Sequence, residues 1–426
     1  MPLCRLVAPR MTRLRYFAIG FEKIPAAADF GRGAEPWRNE KVQQAGSYAY
    51  LPLERVVFGR PAASAAVEEM TRVGATKVFI VAAKSLARNT PVVSAIAAAL
   101  GHHYAGLFDG CVQHTPRESV VAAARAVRTA APDLILTVGG GTAIDTVKVL
   151  QICLAHNVDS AEALDGLHAS IGADGKRHVP NIRSSPVRQI VVPTTLSGAE
   201  FSNLAGVTDE RIRQKHSFIG ADIGARAVIL DPEVTLYTPE WLWLSTGVRG
   251  IDHAVEALCS IDAHPYCDGL SLHALRLFAQ ALARPDDLAA RLQCQQASWL
   301  AASSIARVNY GASHGIGHAL GAFADVPHGH TSCVMLPHVL RYNARATADK
   351  QRLIAEALGR PGVAAADAVA ELIAALKMPT TLRAVGVKRD QLEKIAEAAM
   401  QNIWVRTNPQ PIRSPDDVMQ ILEAAW

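Results

Sequence analysis

The chain has 426 residues, half of them hydrophobic and 19% charged, which excludes a disordered polymer and allows a large buried core. Lys and Arg total 43 against 39 Asp and Glu, so the net charge of +4 makes no electrostatic case for a nucleic-acid partner. The length suits two domains, no apolar run approaches the ~20 residues of a membrane span, and seven scattered Cys without a CxxC pair read as reduced thiols of a cytoplasmic protein.

Residues 1–47 read as an N-terminal extension. Residues 1–16 carry four Arg and no acid, which suits an organelle-targeting peptide or, more simply, an extension with Met11 as the true start. Globular patterning begins near Tyr48. A strand is expected over 53–59, a helix over 61–74 closed by Gly74, and a buried strand over 77–85. A helix over 86–101, a strand over 102–110 and a helix over 117–131 follow. The run 133–141 is a strand ending in three glycines, and 142–155 is the next helix. Residues 156–187 are polar and rich in Gly, Ser and Pro, an excursion. Strands return at 188–195 and 226–232. Alternation of strand and helix predicts a parallel sheet covered on both faces. From 240 onward the period is helical with no clear strand. The chain therefore divides into an α/β domain over 48–235 and an all-helical domain over 236–426.

Two loops at strand ends carry ligand chemistry. Gly139-Gly140-Gly141 lets backbone approach a ligand, and the helix that starts at Thr142 presents free N–H groups and a positive dipole end to a phosphate. A tight turn with no ligand is the alternative. Asp145 and Lys148 lie at i, i+3 and can pair with each other. In VVPTTLSGAE (191–200), Thr194, Thr195 and Ser197 offer hydroxyls at the carboxyl end of a parallel strand, where open sheets bind ligands. In the helical half, His314 and His318 stand at i, i+4 on one helical face, His328 follows a Pro, and His253 sits on an apolar helix. Four imidazoles from two segments make a divalent-metal constellation conceivable.

Together these segments resemble the iron-containing (group III) alcohol dehydrogenase family, which includes the maleylacetate reductases. The match covers roughly 48–426. GGGTAIDTVK follows the family pattern GGGSxxDxxK, PTTLSGAE its PTT loop, and HGIGHALGAFADVPHG its HxxxHxxGxxxxxPHG segment. LDPEVT (230–235) and MLPHVLRYN (335–343) are also similar. The short PTT loop, VVFG (56–59) and AGLFDG (105–110) lean toward the maleylacetate reductases, whereas GGGTAID is closer to the alcohol dehydrogenases. The resemblance implies the dehydroquinate synthase-like fold, with an α/β nucleotide-binding domain, a helical metal- or substrate-binding domain and an active site between them. It implies NAD(H) or NADP(H) held by Gly139, Gly140, Gly141, Thr142, Asp145, Thr194, Thr195 and Ser197, a small-molecule substrate and a homodimer. It also implies His253, His314 and His328 as candidate ligands of Fe or Zn.

One position departs from the pattern. The family holds its metal with three His and an Asp four residues before the first of them; here that position is Arg249. A guanidinium beside a divalent ion costs on the order of several kcal/mol at an effective dielectric of about 20. Asp252 points about 100° from His253 around a helix, a poor substitute. The metal is therefore expected to be absent. Arg249 is expected to bind a substrate carboxylate or polarise the carbonyl, with His253 and His318 handling the proton; a structural ion pair with Asp252 or Glu256 is the alternative. The expected activity is NAD(P)-dependent reduction of a ketone on a carboxylate-bearing substrate, of the maleylacetate to 3-oxoadipate type. The alternatives are a Zn- or Fe-dependent alcohol dehydrogenase, a dehydroquinate synthase-like lyase and a non-catalytic relative. Ala83 and Lys84 end the strand where NAD-preferring relatives carry Asp, so NADPH is expected to be accepted.

Overall fold

Short β-branched runs become strands where glycine, proline or charge ends them, and the longer apolar period becomes helix. The computed structural model describes residues 47–172, 177–212 and 214–426. The expected extension, residue 47 apart, lies outside the described residues. In chain order come β1 (Arg55–Phe58), α1 (Ala62–Arg72), β2 (Val78–Ala82), α2 (Lys84–Asn89), α3 (Val92–Leu100), β3 (Tyr104–Phe108), α4 (Arg117–Ala130), β4 (Leu134–Gly139) and α5 (Gly141–His156). They are followed by the short β5 (Ser170–Ile171) and β6 (Arg177–His178), then β7 (Arg188–Pro193), β8 (Leu204–Asp209), β9 (Gln214–Ile219) and β10 (Ala225–Leu230). The single helix expected over 86–101 is two. Pro91 has no N–H to continue the ladder and disfavours helical backbone at Thr90, so α2 ends there and α3 begins after it.

Six strands form one parallel sheet in the order β1-β10-β7-β4-β2-β3. Period 2 divides its side chains. Val78 and Ile80 pack with α1 and α3, whereas Phe79 and Val81 pack with α4 and α5. The chain leaves β2 toward β3 and leaves β4 toward β7, so the sheet reverses direction between β2 and β4. Ligands bind outside the carboxyl ends of strands at such a reversal. The glycine turn at the end of β4 lies there.

Among the described residues no strand follows Leu230. The helices are α6 (Pro232–Thr235), α7 (Glu240–Leu258), α8 (Pro265–Ala281), α9 (Leu288–Ala302), α10 (Ala312–Ala324), α11 (His328–Asn343), α12 (Ala348–Ala357), α13 (Ala365–Ala375), α14 (Leu392–Ala399), α15 (Ile403–Arg406) and α16 (Pro415–Ala424). The fold is thus an α/β half with a parallel sheet followed by a helical half, and Ala49–Trp426 form one compact unit. Helix α7 is its axis: every residue from Trp243 to Leu258 is buried. Gly250 lets α8 approach, since a Cβ there would lie 2.6 Å from the Phe278 ring.

Residues 200–225, for which the sequence suggested no element, contain the antiparallel hairpin β8–β9. It is clamped to α5 by the Asp145–Lys148 pair. Lys148 is fully buried, and its ammonium donates to Leu204 O (2.6 Å) and Ser202 Oγ (3.0 Å) and lies 3.3 Å from Asp145 Oδ1. Asp145 Oδ2 accepts from Gly206 N at 3.0 Å. Removing one partner of a buried ion pair costs about 3–5 kcal/mol. Because Asp145 is one-fifth exposed, Lys148→Met is expected to destabilise the protein by about 3 kcal/mol, at the lower end of that range. The denaturant midpoint reads this, and an unshifted midpoint would mean that the clamp does not hold the hairpin.

Candidate functional site

The glycine turn is part of a junction where two strand termini meet. Thr194 N donates to Gly139 O at 3.0 Å, joining the loop after β7 to the glycine turn, and Ala83 N donates to Val138 O at 3.1 Å on the other side. Glycine is required in this turn by space. A Cβ on Gly140 would lie 2.8 Å from Thr195 Cγ2, and one on Gly141 would lie 3.2 Å from Ser197 Oγ. Thr195 Oγ1 and Ser197 Oγ are buried with no hydrogen-bond partner, beside the N-terminus of the sixteen-residue α5. Two orphaned hydroxyls and the free N–H groups of a helix start suit a dinucleotide pyrophosphate. Thr142 stands in the first turn of α5 and Thr194 at the end of β7, so seven of the expected cofactor-binding residues gather here. Asp145 has its carboxylate oxygens engaged by Gly206 and Lys148, behind the turn.

The second cluster lies on α7, α10 and α11. His253 from α7 stacks toward His314 of α10 with ring centroids 4.8 Å apart, and Tyr310 packs 4.5 Å from His314. His318, one turn along α10, lies 6.0 Å from His328, the first residue of α11. The sequence had not suggested Trp404 and Asn402, at the start of α15, which complete the wall. Trp404 lies 5.0 Å from the His318 ring, and Asn402 Nδ2 donates to His318 Nδ1 at 3.0 Å. His318 then carries its own proton on Nε2.

Arg249 lies one turn before His253 and is buried. Among the described residues its only hydrogen bond is from Nη1 to Ser332 Oγ at 3.0 Å. Asp252 is closer to the cluster than its helical angle suggested: Oδ2 lies 3.6 Å from Arg249 Nη1 and 3.6 Å from His314 Nδ1. The angular argument failed because α7 has no exposed face at this level, so α10 and α11 bring partners to Asp252 as well. Ser313 and Ser332 hydroxyls donate to its Oδ2 at 2.9 and 2.6 Å. Glu256 caps α10, accepting from the backbone N–H groups of Gly311, Ser313 and His314 at 2.8–3.2 Å and from His314 Nδ1 at 2.7 Å. That leaves His314 Nε2 buried and unpartnered.

A further cation enters from the other half. Lys215 of β9 reaches His328, with Nζ 2.8 Å from Nε2. No motif marked this lysine in the sequence. Burial holds its amine below the usual lysine range. Lys215's charge, followed by burial, holds His328 well below the ordinary imidazole range. Burial, reinforced by Arg249, does the same to His253 and His314 and takes His318 down to about 3. The four rings are therefore neutral at pH 7. Burial raises the carboxyls of Asp252 and Glu256 above the usual carboxylate range, and the charge of Asp252 adds to the effect on Glu256.

This donor set does not suit a divalent ion at the three imidazoles. An ammonium stands against Nε2 of His328, and a guanidinium, Arg249, occupies the position one turn before His253 where the resemblance led a carboxylate to be expected. Among the described residues, the one trio of His, Cys, Asp or Glu with ligand atoms within 4.8 Å of one another is Asp252, Glu256 and His314. Its members are already bonded to each other, to a helix N-terminus and to hydroxyls.

Two family descriptions match the chain. The iron-containing alcohol dehydrogenase model covers residues 53–232, and the C-terminal model of the Fe-containing alcohol dehydrogenase family covers 243–426. The chain is 34% identical over 393 residues to dehydrogenase ALT3 of Alternaria alternata, spanning 83% of this chain and 99% of that protein. It is 27% identical over 376 residues to a maleylacetate reductase of Pseudomonas aeruginosa, 87% of this chain and 95% of that one. The crystal structure of maleylacetate reductase from Agrobacterium tumefaciens superposes with a TM-score of 0.74 at 28% identity, covering 90% of this chain and 98% of its own. The chain is an oxidoreductase belonging to the iron-containing alcohol dehydrogenase family.

Proposed function

We propose that the protein is an NAD(P)H-dependent reductase of a carboxylate-bearing carbonyl compound, of the maleylacetate type, and that it works without a divalent metal. The observation that carries this reading is Arg249, a buried guanidinium that makes one hydrogen bond, to Ser332, and one ion pair, with Asp252 at 3.6 Å from the same Nη1, which leaves the rest of its fork open among the described residues. A planar fork with free donors binds a carboxylate bidentately. The maleylacetate reductases among the relatives support the substrate class.

On this reading residues 48–235 form the nucleotide domain and 236–426 the substrate domain. Gly139, Gly140, Gly141, Thr142, Thr194, Thr195 and Ser197 hold the dinucleotide phosphates, and Asp145 braces the turn from behind. Bound NAD(P)H supplies the hydride. Arg249 orients the substrate by its carboxylate, so that the carbon to be reduced is held at reacting distance. In the conversion of maleylacetate to 3-oxoadipate the carbon reduced is an alkene carbon conjugated with the ketone, and the ketone survives. For that substrate the expectation of a ketone as the reduced group gives way to reduction of the conjugated alkene, and the carbonyl oxygen carries the developing charge as an enolate; only where a ketone itself takes the hydride does it carry the charge as an alkoxide. His318, neutral with its proton on Nε2, gives that proton to complete the product and regains one from solvent at the same nitrogen, and His253 lines the same cluster one turn after Arg249. The protein is proposed to act as a cytoplasmic homodimer.

Arg249→Ala is expected to raise KM for maleylacetate about tenfold to a hundredfold, the value of a charge-assisted pair, with NADPH affinity unchanged. An unaltered KM would end the clamp reading. Chelator-treated enzyme should keep its full rate; activity restored only by added zinc or iron would favour an alcohol dehydrogenase with His253, His314 and His328 as ligands. Gly140→Ala should weaken NADPH at least about tenfold, or 1.4 kcal/mol, by driving Thr195 from its place; an unchanged Kd in a fluorescence titration would move the pyrophosphate elsewhere. At the end of β2, Ala83 is followed by the exposed Lys84, and neither repels a 2′-phosphate. NADPH should therefore be used within a hundredfold (about 2.7 kcal/mol) of NADH in kcat/KM, and a stronger NADH preference would place the ribose elsewhere.

A further inference from the structure

We propose that Lys215 is the cation that binds the substrate's carbonyl oxygen, seated for that task by His328. The inference rests on the metal-free reading above and adds a residue that no sequence motif marked.

Three observations carry it. First, Lys215 Nζ has His328 Nε2 as its hydrogen-bond partner among the described residues, at 2.8 Å. An ammonium has three donors, so two remain for a ligand. The ammonium donates to Nε2, which places the His328 proton on Nδ1, and Nδ1 is buried without a partner. Second, the lysine's stem is held along the hairpin. A Cβ on Gly206, its cross-strand neighbour but one, would lie 2.3 Å from Lys215 Cε, so only glycine leaves the stem room to lie there. Gly206 is itself anchored to α5 through Asp145. The amine therefore stands on a braced hairpin, not on a free surface chain. Third, two residues of the α/β half meet the imidazole cluster at His328, the His114 ring at 5.8 Å edge to face and Lys215, and of these Lys215 brings a positive charge to the ring nitrogen that would otherwise be open to a metal.

The chemistry is balanced without a metal. The hydride supplied by NAD(P)H adds to the carbonyl carbon or to the conjugated alkene carbon, and the π electrons move onto the carbonyl oxygen. The substrate gains two electrons, and NAD(P)H is oxidised to NAD(P)⁺. The new oxyanion is stabilised by the two free N–H groups of Lys215, as an oxyanion hole would stabilise it, and one proton from solvent completes the alkoxide at oxygen or the enolate at carbon. Arg249 takes the carboxylate and Lys215 the carbonyl oxygen, so one substrate spans the two cations.

Two measurements test this. In the first, maleylacetate reduction is followed for Lys215→Ala. Removal of an oxyanion donor costs about a hundredfold to a thousandfold in kcat. That loss is expected here with NADPH Kd unchanged, and ethylamine added to the buffer should recover at least about a tenth of the rate. A kcat within threefold of wild type, or a lost rate that ethylamine does not recover in a variant that still binds NADPH, overturns the assignment. In the second, Zn²⁺ is titrated by equilibrium dialysis, without substrate, into three proteins. Wild type and Arg249→Asp are expected to hold less than about a tenth of an equivalent, and Arg249→Asp with Lys215→Met about one. Equal zinc in Arg249→Asp with and without the Lys215 change would show that the lysine does not occupy the His328 nitrogen. Stoichiometric zinc in wild type would overturn the metal-free reading itself, and a wild type that reduces no maleylacetate would remove only the substrate, since the dialysis needs none.

Discussion

The helical half is organised around a buried positive charge whose nearest acids are already occupied. Arg249 is buried in α7, and the carboxylate nearest to it, Asp252, is 3.6 Å away and bound by two serine hydroxyls. Burying a charge is tolerated when it is paired and hydrogen-bonded. Here the protein supplies one hydrogen bond, from Ser332, and the partly shared field of Asp252 and Glu256. Glu256 is in turn committed to the N-terminus of α10, where three backbone N–H groups and His314 neutralise it. The acids of the cluster thus hold its architecture together and leave the cation without a full counterion.

The same field decides the state of the imidazoles. A histidine titrates near neutrality only when its surroundings leave it there. Burial together with Arg249 and Lys215 makes a second positive charge on any of these rings unfavourable, so His253, His314, His318 and His328 are neutral rings with assignable protons. Their hydrogen bonds then become directional. Asn402 donates to His318 Nδ1, Glu256 accepts from His314 Nδ1, and Lys215 donates to His328 Nε2. Helix α5 ties this arrangement to the glycine turn. Its first turn faces the orphaned hydroxyls of Thr195 and Ser197, and Lys148 and Asp145 farther along it hold the hairpin that carries Lys215. One rigid helix therefore positions both the glycine turn with its orphaned hydroxyls and the cation that reaches His328.

Much of this was legible in the sequence because its signals are local. The strands β2, β4, β7 and β10 are continuous apolar runs buried on both faces, and the glycine turn announces a close approach whatever packs against it. The i, i+4 spacing of His314 and His318 placed them on one helical face. What escaped is non-local. Lys215 lies in a polar stretch whose only marker is a hairpin, and its partner is 113 residues away. Asn402 and Trp404 belong to a helix of four residues, too short for a period to show. The misjudged Asp252 is the instructive case. Counting degrees around a helix presumes that one face looks away from the site, and α7 has no such face at that level.

A cation in a low-dielectric cleft changes which ligands the cleft accepts. A neutral alcohol or aldehyde entering beside Arg249 and Lys215 would leave both charges as uncompensated as before and would add its own desolvation to the cost. A carboxylate completes the charge balance that Asp252 and Glu256 leave open, and a carbonyl at the right distance from it meets the second cation. Selection by charge completion is stronger than selection by shape, because the penalty for an unpaired buried charge exceeds the value of a methylene in a pocket. On the proposed reading, Arg249 in the place of a carboxylate ligand does more than remove a metal. It turns a centre that attracts electron pairs from neutral oxygens into one whose missing part is an anion, which is why the proposed substrate is one that brings that anion with it.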